Sequence, residues 1–265
     1  MKTSADPWAL AQMPVRRRDA NGPRAIELGD VHGESGARRL AEACAHLAPS
    51  HRTAVIYVLH HAVLTITDVV LAPAVVGIEI EPSPRQLGFV LDNKGVPAGS
   101  WVAADLTWST TETAADAIRH RAAKPAGRLL APVIEVVSRL AVEQHKVIAE
   151  LAADATARAG LRLIQSAGTS NRRAVDETAQ LLDAAGLGGV TLHALEVVAD
   201  AGPPIASLVP RRCCVLERQL NGHSCPTCPL RGSDEDRRQT VARWLMDLTD
   251  DEFHAEVGRE RVRGS

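Results

Sequence analysis

Four of the five cysteines in this 265-residue chain lie within 16 consecutive positions near its carboxyl end. Cys213 and Cys214 are adjacent, and ten residues separate them from Cys225-x-x-Cys228. Thiol groups at this density can hold a metal ion or an iron–sulfur cluster, pair as disulfides, or pack as small apolar side chains. The neighbouring residues are largely charged or polar, and Gly222 and two prolines interrupt any regular element. The pattern therefore favours chemistry over packing.

Disulfide pairing is the weaker of the two chemical interpretations. Disulfides need an oxidising compartment, and the first residues of the chain show no basic-then-apolar secretory signal. A bond between Cys213 and Cys214 would require a strained peptide geometry, and an odd fifth cysteine would be left over. The sequence thus predicts thiolate ligands in a reducing compartment.

The spacing also bears on which group the thiolates hold. A four-cysteine zinc site is typically built from two C-x2-C knuckles, whereas one half of this motif is an adjacent pair whose side chains diverge. A [2Fe–2S] cluster has two irons that each take two terminal thiolates, so it accepts neighbouring sulfurs more easily. Geometry favours iron–sulfur, and zinc stays open. The residues predicted to tune such a cluster or to face a substrate are Arg211, Arg212, Arg218 and His223.

The motif resembles that of the ferric siderophore reductase (FhuF-like) family. The similarity is carried by Arg212-Cys213-Cys214 and by Cys225-Pro226-Thr227-Cys228-Pro229-Leu230, with a fainter likeness in the apolar run through a proline at residues 129–134. The chain departs from the family pattern after the cysteine pair, where Val215-Leu216-Glu217 replace the usual aromatic residues.

The resemblance implies that the four cysteines ligate a [2Fe–2S] cluster and that the protein is an oxidoreductase acting on metal ions. A ferric siderophore of the hydroxamate type would bind beside the cluster, receive one electron and lose its iron as Fe(II). The electron would come from an external donor such as a ferredoxin or a reductase. The expected location is the cytoplasm, with peripheral association with a siderophore importer. No catalytic residue is expected beyond the cluster.

Composition narrows the other possibilities. The formal net charge is −2 and only 3% of residues are aromatic, so no nucleic-acid partner is expected. Polar residues interrupt the longest apolar run, residues 62–80, which is therefore not expected to span a membrane. Two further classes stay open: an iron–sulfur electron-transfer or sensor protein, and a helical binding protein with a structural four-cysteine zinc site.

The elements that must position the motif are predicted to be mostly helical. We expect an α+β fold with a small antiparallel β element and a C-terminal iron–sulfur loop region. Residues 1–35 are interpreted as an irregular arm, residues 36–204 as a helical, siderophore-binding body, and residues 205–265 as the cluster-binding region and tail.

Individual patterns set the expected boundaries within the body. Residues 87–91 and 96–103 predict a hairpin whose turn ends at Gly95, with Pro97 placing the return strand at a sheet edge. A helix capped by Ser50 or Thr53 precedes this hairpin. Another helix is expected to begin near Pro132 and to continue towards residue 151.

Three other features could suggest function but have simpler explanations. Cys44 lies on an apolar helical stripe and is predicted to be a core residue. His60 and His61 point about 100° apart on a helix, so they do not chelate one ion together, and a core or partner-facing role is expected. A basic group predicts a solvated face, or a surface for an acidic partner or an anionic substrate. Its members are Arg119, His120, Arg121, Lys124 and Arg128.

Overall fold

The computed structural model describes residues 15–18, 25–48, 50–110, 115–189, 191–198, 204–212, 227–229 and 232–246. Within these ranges the chain is mostly helical with three small β-sheets, so the predicted α+β class is confirmed. The helices are α1 (Leu28–Val31), α2 (Glu34–Cys44), α3 (His51–Ile66), α4 (Ala72–Val75), α5 (Ala115–Ala141), α6 (His145–Ser166), α7 (Asn171–Ala184) and α8 (Asp234–Met246), and a π-helical turn (Thr67–Leu71) joins α3 to α4.

The described residues form the strands β1 (Val15–Arg18), β2 (Ala25–Glu27), β3 (Ile78–Glu79), β4 (Leu87–Leu91), β5 (Pro97–Ala103), β6 (Ser109–Thr110), β7 (His193–Val197) and β8 (Ile205–Val209). The largest of their three sheets has four strands in the order β1-β5-β4-β2. β3 pairs with β6, and β7 pairs with β8. The predicted β4–β5 hairpin is confirmed, and its turn ends at Gly95 with a φ of 82°, a conformation that suits a residue without Cβ.

The sheet corrects two predictions. Pro97 does not place its strand at an edge, because β5 lies between β1 and β4. β1 runs parallel to β5 and pairs only with Ser100–Ala103, so the proline lies at the start of the strand, beyond that paired stretch, where it is tolerated. Residues 1–35 are not irregular throughout, since β1 and β2 join this sheet and α1 follows directly. Strands of three or four residues carry too few alternations to be recognised in sequence.

The centre of the main core is α3. Ser50 caps it as predicted, since its Oγ accepts the Thr53 N–H at 3.2 Å. The helix is buried on nearly all sides against α2, the sheet, α5 and α6. Cys44 belongs to the same core and is 0% exposed, which confirms its predicted role. The helical run His51–Val75 is long and apolar enough to cross a membrane, but 83% of its most apolar window is buried inside the fold, as in the core helix of a soluble protein.

The helix predicted to begin at Pro132 begins much earlier. α5 is continuous from Ala115 to Ala141 and contains both Pro125 and Pro132. An internal proline costs about 3 kcal/mol because a hydrogen bond is lost and the ring crowds the preceding turn. Burial of apolar side chains on both sides of Pro132, such as Leu129 and Val133, offsets that cost. The helical run breaks instead at Val142, between α5 and α6.

The β7–β8 hairpin lies between helices on its two faces. Its side chains alternate, as expected for strands. One face contributes Ala206 and Leu208 to a cluster with α6 and α7, and the other packs Leu195, Val197 and Val209 against Val241 of α8. The hairpin spans residue 205, where a domain boundary was predicted. It connects the helical body directly to the segment that enters the cysteine motif.

Candidate functional site

The structure describes the segment that precedes the cysteine motif, residues 204–212, and the end of the motif, residues 227–229. β8 leads through Pro210 to Arg211 and Arg212, which directly precede Cys213 in sequence. Residues 227–229 include Cys228, which is 2% exposed. The other predicted site residues lie outside the described part of the chain: Cys213, Cys214, Arg218, His223 and Cys225. The assignment of the four cysteines as ligands therefore stays a prediction.

Asp154 of α6 holds the upstream segment. Its Oδ2 accepts hydrogen bonds from the peptide N–H groups of Arg211 at 2.9 Å and Arg212 at 3.3 Å. Its Oδ1 accepts a third bond from Nε of Arg211 at 3.3 Å. Ionised acceptors make hydrogen bonds about twice as strong as neutral ones, so this carboxylate fixes the chain where β8 ends.

A second acid on the same face of α6 reinforces the contact. Glu150 lies four residues before Asp154 and pairs with the guanidinium of Arg212, which lowers the pKa of Glu150. Asp154 behaves differently: desolvation by burial raises its pKa, although the Arg211 guanidinium and the two N–H donors act in the opposite direction. Two acids on α6 thus meet two successive arginines at the entrance to the motif.

Arg237 of α8 holds the downstream segment. Its Nε donates to the carbonyl oxygen of Cys228 at 3.2 Å, and its Nη2 donates to the carbonyl oxygen of Pro229 at 3.0 Å. Its Nη1 donates to Asp234 at 2.6 Å. The side chain is only 11% exposed, and a guanidinium is the side chain that can serve three acceptors in fixed directions. Arg237 therefore ties the Cys-x-x-Cys end to α8.

The helix that carries Arg237 is itself tied to the hairpin. Nε2 of His193 on β7 donates to Asp234 at 2.9 Å. Although desolvation favours its protonated form, the bonds from Arg237 and His193 lower the pKa of Asp234. Ser233 and Asp236 form a capping box at the start of α8, with the Ser233 N–H donating to Asp236 at 2.7 Å and the Asp236 N–H donating to Ser233 Oγ at 3.2 Å. Both described segments of the motif are thus held around one hairpin.

The arginines predicted to tune a cluster have carboxylate partners. Arg211 pairs with Asp154, and Arg212 pairs with Glu150. Each positive charge is offset locally by a negative one, which weakens the field that either arginine exerts on a neighbouring cluster. Their tuning role stays a prediction.

The basic group on α5 is also largely neutralised. Its ion pairs are Arg119–Glu177, Arg121–Glu79 and Arg128–Glu81. The surface carries mixed charge, so these residues give no argument for an anionic substrate.

Sequence reasoning missed Glu150, Asp154 and Arg237. Asp154 carries one usable signal, because it is a single acid within an alanine-rich helical run, where a charged side chain needs a partner if that face is buried. Arg237 carries no comparable signal, since it lies among charged residues that are typical of a solvated helix start.

The donor set fits a thiolate-bound iron–sulfur cluster, and it also fits zinc. Four cysteine thiolates are the ligands that either group takes. Among the described residues, no group of three or more His, Cys, Asp and Glu side chains could hold a metal ion, and three of the four motif cysteines lie outside them.

No protein-family model, no curated protein and no solved structure matches this chain significantly. The resemblance to ferric siderophore reductases rests on the cysteine motif, and it stays a prediction.

Proposed function

We propose that this protein is a ferric siderophore reductase, which transfers one electron to the iron of a bound Fe(III)–siderophore and releases it as Fe(II). In this proposal Cys213, Cys214, Cys225 and Cys228 hold a [2Fe–2S] cluster, and the helical body seats a hydroxamate-type substrate. An external ferredoxin or reductase supplies the electron. The protein acts in the cytoplasm, associates peripherally with a siderophore importer and binds no nucleic acid.

One observation supports the proposal: the two described segments at the ends of the four-cysteine motif, residues 211–212 and 228–229, are attached to the body by charged, partly buried contacts. Asp154 binds two peptide N–H groups upstream, and Arg237 binds two carbonyl oxygens downstream. Ligands attached in this way keep their places when the bound group gains and loses an electron. An electron-transfer site needs ligands that keep their places more than a solvent-exposed cysteine-rich loop does.

The chemistry divides between the bound group and the chain. A [2Fe–2S] cluster supplies one-electron transfer when it is bound. The chain holds the thiolates, offsets the charges beside them and seats the substrate. Hydroxamate oxygens are hard donors that hold Fe(III) strongly and Fe(II) weakly, so one electron loosens the iron. The freed oxygens then take protons from solvent.

Replacing Cys228 by serine tests the ligand assignment. Anaerobically purified wild-type protein should be reddish-brown and carry about two irons and two sulfides per chain. Cys228→Ser should lose most of both, because a hydroxyl is a poor substitute for a thiolate ligand. Release of Fe(II) from a ferric trihydroxamate, trapped by a ferrous chelator, should fall about tenfold or more. Cys44→Ala is the matched control, since Cys44 lies in the main core, and it should keep both cluster and activity.

Each alternative function has its own outcome in these measurements. One zinc atom per chain without labile sulfide would contradict the proposal and favour a structural zinc module. A cluster that accepts electrons but leaves ferric siderophores unreduced would favour an electron-transfer or sensor protein. Full cluster content and activity in Cys228→Ser would remove that residue from the ligand set.

A further inference from the structure

Asp154 is an unfavourable residue for its position on α6. It is 7% exposed and lies between buried alanines at positions 153 and 155. Burying a carboxylate carries a desolvation penalty, in agreement with the raised pKa of this side chain. Within the described part of the chain, no other acidic residue is buried to this degree. An apolar residue would pack at this point of α6 without that penalty, so the reason for the carboxylate lies in its contacts.

The hydrogen bonds of Asp154 all involve the two residues that precede Cys213. The three hydrogen bonds that Asp154 makes within the described residues come from Arg211 and Arg212, and none comes from its own helix. Two of the donors are successive peptide N–H groups, an arrangement that binds anionic oxygens well. Glu150, by contrast, pairs with a side chain that is 46% exposed. Asp154 is therefore the acid that holds the backbone.

We propose that Asp154 is a positioning residue for the Cys213–Cys214 pair, an inference that rests on the proposed function. Cys213 follows Arg212 directly, and successive Cα atoms are about 3.8 Å apart. An anchor on the Arg212 N–H therefore sets the point from which the first thiolate reaches the cluster. The carboxylate acts on the cluster through the backbone of its ligands.

Two substitutions in the full-length protein separate the acceptor from the charge. Asp154→Ala removes the acceptor of both N–H groups. Asp154→Asn keeps one side-chain oxygen that can accept from both peptide N–H groups, but it loses the contact with Nε of Arg211. The Arg211 guanidinium can then turn to water, because the Arg211 side chain is 30% exposed. Ile164→Val is the matched control, since it lies on α6, is 1% exposed and loses only a methyl group from the cluster shared with α7.

The first readout needs no cluster. In cluster-free protein, amide hydrogen exchange at Arg211 and Arg212 should speed up about tenfold or more in Asp154→Ala, because two N–H groups lose a charged acceptor. Exchange should stay close to wild type in Asp154→Asn and Ile164→Val. The second readout uses anaerobically loaded protein. The half-life of the cluster against an iron chelator should fall about tenfold in Asp154→Ala and by less than about threefold in the other two variants.

The outcomes distinguish this inference from the proposed function. An unchanged cluster half-life in loaded Asp154→Ala would overturn the role of Asp154 and leave the proposed function intact. An equal fall in Ile164→Val would also overturn it, since general destabilisation would then explain the loss. Wild-type protein without iron and sulfide would overturn both, while exchange in the cluster-free variants would still show whether Asp154 anchors the backbone.

Discussion

His61 shows how one buried side chain can make stability depend on pH. Its ring meets that of Tyr57 edge to face, with the centroids 4.4 Å apart. The residue as a whole is half-buried, but its Nε2 is shielded from solvent and has no hydrogen-bond partner among the described residues. This environment agrees with a core role, which is one of the two alternatives expected for the adjacent histidines. A ring in such a place resists protonation.

We expect this histidine to destabilise the fold in acid. Burial, with a smaller contribution from His60, lowers the pKa of His61 from 6.5 to about 3. Between these values the unfolded chain binds more protons than the folded one, so the stability that His61 confers is present above pH 6.5 and is lost as pH falls. The free energy of unfolding should drop by about 2 kcal/mol from pH 7 to pH 5 through this residue. Urea unfolding at a series of pH values measures it.

Two variants of histidine residues serve as test and control in the same urea-unfolding measurements. His61→Phe keeps an aromatic ring against Tyr57 but cannot bind a proton, so it should remove this part of the pH dependence. His145→Gln changes an exposed histidine at the start of α6 and should leave the dependence as it is. Equal slopes in wild type and His61→Phe would contradict the prediction.

At the residue scale, local signals were predictable and distant partners were not. The cysteine motif is visible in sequence because its members are close together, and Cys44 is visible because it lies on an apolar stripe. The bond between Asp154 and Arg211 joins positions 57 residues apart. No periodicity links such positions, because their meeting depends on how α6 packs against β8.

At the element scale, the interiors of helices were easier to predict than their ends. Proline is a strong sequence signal for a helix boundary, yet α5 continues through Pro125 and Pro132 because its apolar side chains are buried on both sides of them. The real boundary, Val142, carries no sequence signal at all. A valine with a φ of 53° occupies a position that glycine usually fills.

Replacing Val142 by glycine should stabilise the protein, because glycine adopts a positive φ without steric strain. The Val142 N–H donates to the Arg139 carbonyl at 3.2 Å and the Glu143 N–H donates to the Ser138 carbonyl at 3.1 Å, the pattern of a glycine-type helix C-terminus. Val142 is 91% exposed, so its side chain contributes little packing. Val142→Gly should raise the free energy of unfolding by about 1 kcal/mol, and the melting temperature by about 2–4 °C. Val142→Ala keeps a Cβ in the left-handed region and should gain less. A loss of stability in Val142→Gly would contradict this account.

At the scale of the whole molecule, the β7–β8 hairpin joins two parts that the sequence separates. One face packs on α6 and α7, and the other packs on α8. The helix that carries Asp154 therefore lies against one side of the hairpin, and the helix that carries Arg237 lies against the other. The boundary predicted near residue 205 followed the sequence break Ala201-Gly202-Pro203-Pro204, and such a break does not report that the strands on its two sides pair with each other.

This architecture makes Arg237 more important than its neighbour on α8. Arg237→Lys keeps the charge and can still pair with Asp234, but an ammonium cannot reach two carbonyl oxygens in the fixed directions of a guanidinium. The loss of the bonds to Cys228 and Pro229 should lower the free energy of unfolding by about 2 kcal/mol. Arg238→Lys alters only a surface pair with Glu235 and should cost less than about 0.5 kcal/mol. Urea unfolding of cluster-free protein measures both. Equal costs in the two variants would show that the contacts of Arg237 with the motif add nothing to the stability of the fold.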